Sequence, residues 1–268
     1  MATVSAPVRL VRRGFGHTAR HDAWWVQPLV VFLGLSAFLV YSTWAAFQGD
    51  HYTFGPYLSP FYSPEILGGP HSWFGPKPGA WPAWLPFSPA LFILPIPGFF
   101  RLTCYYYRGA YYKAFWADPP SCTVGEPRST YWGEHSFPLV LQNIHRYMLF
   151  ISAAILVILY IDVCHAFWFP NPVTGGASFG VGVGTLVLAL NTVLLSGYLF
   201  GCHSMRHVLG GCVDSLSQAP LGVKAYSCVS CLNRGHMVWA WCSLFTVGFA
   251  DLYVRLCSMG VLSDVRIW

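Results

Sequence analysis

Charged side chains are scarce in this sequence. Only 9% of the 268 residues are Asp, Glu, Lys or Arg, whereas 55% are hydrophobic and the mean hydropathy is +0.48. A typical soluble domain carries roughly a quarter charged residues, so this chain cannot cover a globular surface with water-binding groups. Among the charged residues, acidic ones are scarcer than basic ones, with 10 Asp and Glu against 15 Lys and Arg. Because the basic residues flank apolar segments, we interpret them as topological signals in a membrane and expect no nucleic-acid partner.

Sequence signals of several other protein classes are missing as well. The N-terminus has no short apolar run that ends in a small-residue cleavage site, so we expect no cleavable signal peptide. The nine cysteines are an odd number and several lie inside apolar segments, which is not the pattern of a secreted disulfide framework. We find no internal repeat and no separate soluble domain. The sequence therefore predicts a single membrane-anchor domain over residues 1–268.

Long apolar stretches predict the fold class. A membrane-spanning helix needs about 20 mainly apolar residues. The sequence offers five such stretches, at about residues 25–47, 84–107, 139–161, 179–200 and 237–254. We predict an all-α integral membrane protein, a bundle of about five transmembrane helices. The second stretch is the least regular, because it contains four prolines near its start and each removes a backbone donor.

The distribution of Lys and Arg predicts the orientation of this bundle. If the N-terminus is cytoplasmic, only Lys77, Arg255 and Arg266 lie on the outer side and the other twelve of the 15 basic residues lie inside. Such an excess is typical of cytoplasmic loops. We predict a multi-pass protein of the plasma membrane with a cytoplasmic N-terminus, and a cytoplasmic loop at residues 201–236.

That loop is rich in side chains that bind metals. His203 and His207 are four residues apart, so a helix would project both imidazoles from one face, and Cys228 and Cys231 have the spacing with which a tight turn brings two thiolates to one metal. Two nitrogens and two sulfurs suit a zinc ion, or a [2Fe–2S] cluster with Rieske-type ligation. Cys202 and His236 are alternative ligands.

Other interpretations of this loop stay open. The standard Rieske spacing is absent, and a structural zinc ion would use the same ligands. A haem is a weaker alternative, because paired histidines are needed near both membrane faces for two haems and a CxxCH attachment motif is missing. The plainest interpretation is that histidines at helix ends form interfacial hydrogen bonds and that cysteines pack as small hydrophobes.

A second stretch combines aromatic and basic residues on the same predicted face of the membrane. Between Arg101 and Trp116 it includes Tyr107 and Arg108, and His145 with Arg146 enters the third predicted helix from that side. Such a stretch either anchors the chain at the interface or lines a pocket for a quinone head group. For the second interpretation the candidate residues are His145, Arg146, Tyr107, Arg108 and Trp116.

Several long runs carry a family resemblance. The segments 51–65 and 104–122, together with Cys202-His203 and the Cys228–Cys231 motif, resemble the membrane-anchor subunit of an actinobacterial-type succinate dehydrogenase. The resemblance implies a complex in which a flavoprotein oxidises succinate and an iron–sulfur protein relays electrons. The anchor would bind both subunits on the cytoplasmic face and pass electrons to menaquinone, without being catalytic alone. We also expect a higher-order oligomer of the complex.

The mechanism predicted from these observations is an electron relay through a His/Cys-bound [2Fe–2S] centre to menaquinone. The alternatives are a structural anchor with a zinc-stapled loop, or a cytochrome b subunit with a single haem b. A transporter is a further alternative. It would use the ionisable groups Asp162, Asp251 and Arg255, which lie at the ends of the predicted helices.

Overall fold

A computed structural model describes residues 14–69, 71–82, 84, 86–128, 136–137, 139–171, 175–211, 215 and 219–268. In chain order its helices and strands are α1 Val26–Gln48, β1 Thr53–Phe54, β2 Tyr57–Leu58, α2 Ala90–Ile93, α3 Pro95–Leu102, α4 Tyr105–Phe115, a 3-10 helix Leu139–Ile144, α5 His145–His165, β3 Trp168–Pro170, β4 Ala177–Phe179, α6 Val183–Phe200, α7 His203–Gly210, α8 Pro220–Arg234 and α9 His236–Ser258.

Four helical segments in the described ranges are long and apolar enough to cross a membrane: Val26–Gln48, Leu139–His165, Val183–Phe200 and His236–Ser258. They coincide with the first, third, fourth and fifth predicted stretches, and the all-α membrane fold is confirmed. The two short antiparallel pairs, β1–β2 and β3–β4, are minor additions to the helices. The orientation stays a prediction, and three of the arginines that support it, Arg9, Arg12 and Arg13, lie outside the described residues.

The second predicted stretch is not one continuous helix. It is divided into α2, α3 and α4, with Pro95 at the start of α3. Proline lacks the backbone N–H that would continue a preceding helix, which explains the break between α2 and α3. The apolar part, Ala90–Leu102, would rise only about 20 Å as a helix, less than the roughly 30 Å of a bilayer core.

The described chain divides into two compact units. The first consists of residues 1–36 and 105–141. In its described part, the side chain of Arg20 bonds to the hydroxyl of Ser121 at 2.8 Å, and Phe32 of α1 packs against Phe115 of α4 with ring centroids 4.8 Å apart. The second unit, residues 37–104 and 142–268, contains most of the helical bundle. The single membrane-anchor domain over residues 1–268 stays a prediction.

Within the second unit, the segment 59–65 closes one end of the bundle, which we call the loop end. Tyr62 donates a hydrogen bond to the carbonyl of Ala45 at 2.7 Å, and Ala90 packs in the same apolar cluster as Ala45 and Phe61. Helix α3 then runs away from this end, and Cys104 just after it contacts His236 at the start of α9. The α2–α3 segment therefore passes from one end of the bundle to the other, although no single helix does so.

Helices α6 and α9 pack closely because small residues lie between them. An added Cβ atom on Gly197 of α6 would lie 2.6 Å from the ring of Trp239 on α9. Such close approach is typical of membrane helices, since lipid provides no hydrophobic force to drive them together and van der Waals contact must do so.

Candidate metal centre

Four side chains with metal-binding donors lie at the end of the bundle opposite the loop end, which we call the Cys/His end. Each comes from the terminus of a different helix: Cys104 follows α3, His145 begins α5, Cys202 follows α6 and His236 begins α9. Cys104, His145 and Cys202 are buried, with exposed fractions of 2%, 8% and 2%, and His236 is partly buried. The antiparallel arrangement of the helices brings these four termini together.

The imidazole of His145 is held between α3 and α6. The hydroxyl of Thr103 donates to the carbonyl of Phe99 at 2.8 Å, so its oxygen accepts a hydrogen bond from His145 Nδ1 at 2.9 Å. This network assigns the proton of the neutral ring to Nδ1. Nε2 therefore carries a lone pair, and it lies 3.0 Å from the sulfur of Cys202. A lone pair on Nε2 is what a metal ion would bind.

The second donor pair is Cys104 and His236, whose Sγ and Nε2 atoms are 3.5 Å apart. Aromatic rings cover both imidazoles. Phe100 stacks on His145 at 4.5 Å and 6°, and Tyr198 stacks on His236 at 5.1 Å and 17°. Phe100 and Tyr198 also pack edge to face, at 5.7 Å. The four donors thus share one apolar enclosure.

Burial raises the pKa of the Cys202 thiol to about 11, and the nearby Cys104 contributes in the same direction. The dominant cause is desolvation, because a thiolate in this enclosure would lose its hydration. In the metal-free protein the thiol is therefore neutral and donates to His145 Nε2. A bound cation would reverse this preference, since a coordinating thiol is deprotonated.

The sequence-predicted ligands lie elsewhere at the same end. His203 and His207 are both exposed on α7, with their Nε2 atoms 3.0 Å apart, as the i, i+4 spacing predicts. Burial lowers the pKa of His203, and His207 and Arg206 add to the effect. Cys228 and Cys231 are exposed thiols on α8 and not in a tight turn. In the described ranges no group of three or more His, Cys, Asp or Glu side chains could hold one metal ion, so this set of four is not assembled.

The predicted quinone-binding residues belong to two different units. In the first, Tyr107 and Arg108 are buried in α4, the guanidinium of Arg108 lies 4.5 Å from the ring of Tyr105, and Trp116 is exposed. In the second, Arg146 is exposed, whereas His145 belongs to the Cys/His end.

Sequence reasoning missed Cys104 as a candidate ligand and considered His145 only for a haem or a quinone. Both lie far along the chain from the 201–236 loop. A criterion of short sequence spacing between ligands therefore could not find them. A signal was nevertheless present: one Cys or His stands at the same predicted membrane face next to each of four apolar stretches. Cys202 and His236, the alternative ligands, satisfy this criterion.

The ionisable groups at the loop end are engaged in structural contacts. Asp251 accepts a hydrogen bond from Tyr41 at 2.7 Å and another from Ser59, and its carboxylate lies 3.5 Å from the guanidinium of Arg255. Asp162 accepts a hydrogen bond from Ser63. These carboxylates connect the segment 59–65 to α5 and α9.

The fold and the site define a multi-pass membrane protein with a Cys/His cluster in a helical bundle. The family model described as actinobacterial succinate dehydrogenase subunit SdhC matches residues 26–260. A chain of the Mycobacterium smegmatis Sdh1 complex, solved in the apo form, is 41% identical with a TM-score of 0.86, and the match covers 98% of each chain. No curated protein matches the sequence.

The chain therefore belongs to the actinobacterial SdhC family. The resemblance found in the sequence is confirmed. The protein is a membrane subunit of a succinate dehydrogenase complex, an oxidoreductase, and its partners are the other subunits of that complex.

Proposed function

We propose that this subunit passes electrons from succinate oxidation to menaquinone, as part of the complex and not as an enzyme alone. The observation that supports the proposal best is the donor set at the Cys/His end. Two thiols and two imidazoles from four helix termini share one enclosure, with two of the donors only 3.0 Å apart. A merely structural anchor has no need of four such donors inside its bundle.

The donor set fits a [2Fe–2S] cluster with Rieske-type ligation. No single ion has three donors in reach within the described residues, but a two-iron cluster makes a smaller demand, since each iron takes two protein ligands. Cys104, Cys202, His145 and His236 would hold it. When bound, such a cluster supplies one-electron transfer, at a potential that its two His ligands raise.

The surrounding residues have roles of their own in this proposal. Thr103 orients His145 and keeps its proton on Nδ1, as outer-shell partners of metal-binding histidines usually do. Phe100 and Tyr198 exclude water from the imidazoles. Arg101 lies with its guanidinium 4.5 Å from the ring of Tyr198 and places a positive charge beside the enclosure.

The iron–sulfur and flavoprotein subunits dock, we propose, on the membrane face nearest the Cys/His end. The rate of electron transfer falls steeply with the distance between donor and acceptor. The subunit that donates electrons must therefore approach the Cys/His end and not the loop end. Lys224 and Arg234 on α8 and Arg146 on α5 are exposed there. By the positive-inside rule this face is cytoplasmic.

A zinc site is the second candidate, because His203 and His207 already lie in contact at 3.0 Å. It would need Cys228 and Cys231 to approach them, and it would leave the subunit without a redox centre. A single haem b at His145 or His236 is a further alternative.

Metal analysis and EPR of the purified, dithionite-reduced complex separate these proposals. We expect a Rieske-like signal that is lost in Cys104→Ser and retained in the matched variant Cys228→Ser. The partner subunits contribute their own iron–sulfur signals, so the difference between variant and wild-type spectra is the quantity to read. Loss of the signal in Cys228→Ser alone would support the ligands of the 201–236 loop. Zinc without additional iron would support the structural anchor with a zinc-stapled loop, and a Soret band would support haem.

A further inference from the structure

Two of the four donors at the Cys/His end lie in turns that touch each other. Cys202 lies in the turn between α6 and α7, and His236 begins α9 directly after α8. A Cβ atom added to Gly201, the neighbour of Cys202, would lie 3.2 Å from the Leu232 carbonyl oxygen near the end of α8. A glycine at this position lets the two backbones approach this closely. A shift of either turn therefore moves one donor relative to the other.

The side chain of Asn233 joins these two turns. Its Nδ2 atom donates a hydrogen bond to the Gly201 carbonyl at 2.7 Å. Asn233 is three residues before His236, and Gly201 directly precedes Cys202, so the bond acts close to both donors. The last carbonyls of a helix have no partner within that helix, and Gly201 follows the last residue of α6. Asn233 therefore satisfies, from α8, a carbonyl that α6 itself cannot satisfy.

Arg206 of α7 fixes the orientation of the Asn233 amide. Its Nη1 atom donates to Asn233 Oδ1 at 3.3 Å, and its Nη2 atom donates to the Tyr226 hydroxyl on α8 at 2.7 Å. The guanidinium also lies 5.2 Å from the centre of the Tyr226 ring. Because an arginine can only donate, the amide oxygen of Asn233 faces Arg206 and the amide nitrogen faces Gly201. The amide is thus held from both sides.

These hydrogen bonds are separate from the packing that holds the helices together. Asn233 is only partly buried and contacts the two turns through its amide, whereas α6 and α9 meet by close van der Waals contact at Gly197 and Trp239. Replacing Asn233 therefore loosens the turns and leaves the helix packing in place. We expect the consequences at the donors and not in the stability of the whole bundle.

We propose that Asn233 is a positioning residue, which fixes Cys202 relative to His236 and thereby sets the properties of the metal centre. The inference rests on the proposed function and deepens it. Rieske-type ligation puts two Cys on one iron and two His on the other. Cys202 and His236 would then bind different irons, so the bond between their turns fixes the spacing of donors across the whole centre. Partners outside the ligands control both the affinity for a metal and its redox potential.

Variants of Asn233 in the whole purified complex test this role. Asn233→Asp keeps the size of the side chain and the bond from Arg206, but it cannot donate to the Gly201 carbonyl. We expect the membrane subunit of this variant to lose iron at about 10- to 100-fold lower chelator concentration than the wild type, the usual effect of losing an outer-shell partner. The midpoint potential and the EPR g values of the Rieske-like signal should shift as well. Asn233→Gln, which retains an amide N–H, should restore part of the difference.

The matched control is Tyr62→Phe at the loop end. It removes a hydrogen bond of the same kind and length, from a side chain to the Ala45 carbonyl at 2.7 Å. The melting temperature of Tyr62→Phe should fall at least as far as that of Asn233→Asp, while its iron retention and g values stay at the wild-type values. This contrast separates positioning of the donors from a general loss of stability.

A measurement on the metal-free complex checks the turn itself. After iron has been removed with a chelator, Cys202 in Asn233→Asp should react with a maleimide about five- to tenfold faster than in the wild type. Loss of one hydrogen bond lets the turn open about that much more often. In Tyr62→Phe the rate should equal the wild-type rate.

The outcomes that refute the role are specific. Wild-type iron retention, g values and Cys202 reactivity in Asn233→Asp would overturn it, and so would equal changes in Tyr62→Phe. If the Asn233 variants do not assemble, Arg206→Met decides, because it removes only the partner that orients the amide. Shifted g values in Arg206→Met would then support the role, and wild-type g values would overturn it.

The proposed function fails in a different way. A wild-type complex with the Rieske-like signal and Asn233 variants that do not differ from it would refute only the positioning role. A wild-type membrane subunit without iron would refute the proposed function, and the positioning role with it.

Discussion

Replacing Thr103 by Val removes the one hydroxyl that orients His145 while keeping a β-branched side chain of similar size. In the structure, Thr103 Oγ1 accepts from His145 Nδ1 at 2.9 Å, and Thr103 itself is only 4% exposed, so water cannot replace it easily. A buried N–H left without any partner costs about 1–3 kcal/mol, and this is an upper limit here because the Phe100 carbonyl is a second acceptor for the ring. At roughly 1.4 kcal/mol per factor of ten, this corresponds to about a 5- to 150-fold weaker hold on a metal. In other metal sites, the loss of an outer-shell partner lowers the metal affinity or activity about 10- to 100-fold, which agrees with this range.

Iron retention in the presence of a chelator measures this effect. We expect the membrane subunit of Thr103→Val to lose its iron at about 10- to 100-fold lower chelator concentration than the wild type. The midpoint potential of the Rieske-like signal should shift too, because the ligand basicity of His145 changes. Thr103→Ser keeps the hydroxyl and serves as the control, with retention close to wild type. Equal retention in Thr103→Val and wild type would refute the role of Thr103, and equal loss in both variants would show that packing, not the hydrogen bond, matters.

Three other predictions concern reactivity and packing. In the metal-free protein, Cys202 should react with a maleimide far more slowly than Cys228. Burial raises the pKa of Cys202 two units above the ordinary value of about 9, which lowers its thiolate fraction about a hundredfold. Peptide mass spectrometry measures the labelling rates, and equal rates would contradict the buried site. Gly197→Ala should destabilise the bundle by about 1–3 kcal/mol, because its Cβ would lie 2.6 Å from the ring of Trp239. Thermal unfolding of the complex measures it, with Gly222→Ala, whose Cβ meets nothing closer than 3.6 Å, as the neutral control. Asp251→Asn should cost about 3–5 kcal/mol in the same assay, since it leaves the buried Arg255 without its counter-charge, and an unchanged melting temperature would show that the pair contributes nothing.

The sequence predicted the membrane segments well because that prediction depends only on local composition. A run of about 20 apolar residues must be a spanning helix wherever its neighbours are, since lipid leaves its backbone no other partners. The residues around Pro95 were the exception. Their apolar character suggested one helix, but Pro95 has no backbone donor and the segment is divided there. Contacts with the neighbouring helices determine how far the segment extends through the bundle.

The ligand set illustrates the limit of sequence spacing. His203 and His207 lie in contact because both are on α7, and four residues of helix fix that distance. Cys228 and Cys231 do not form a turn, because α8 continues through both. Cys104 and His236 are 132 residues apart, and no spacing rule connects them.

What the sequence determined by itself is therefore the class of protein, the apolar segments and the supply of Cys and His at one predicted membrane face. Each follows from composition or from residues close in the chain. Only the tertiary structure decided which donors meet. The helices alternate in direction, so the termini of α3, α5, α6 and α9 converge at one end, and the packing of Phe100 and Tyr198 encloses their side chains there.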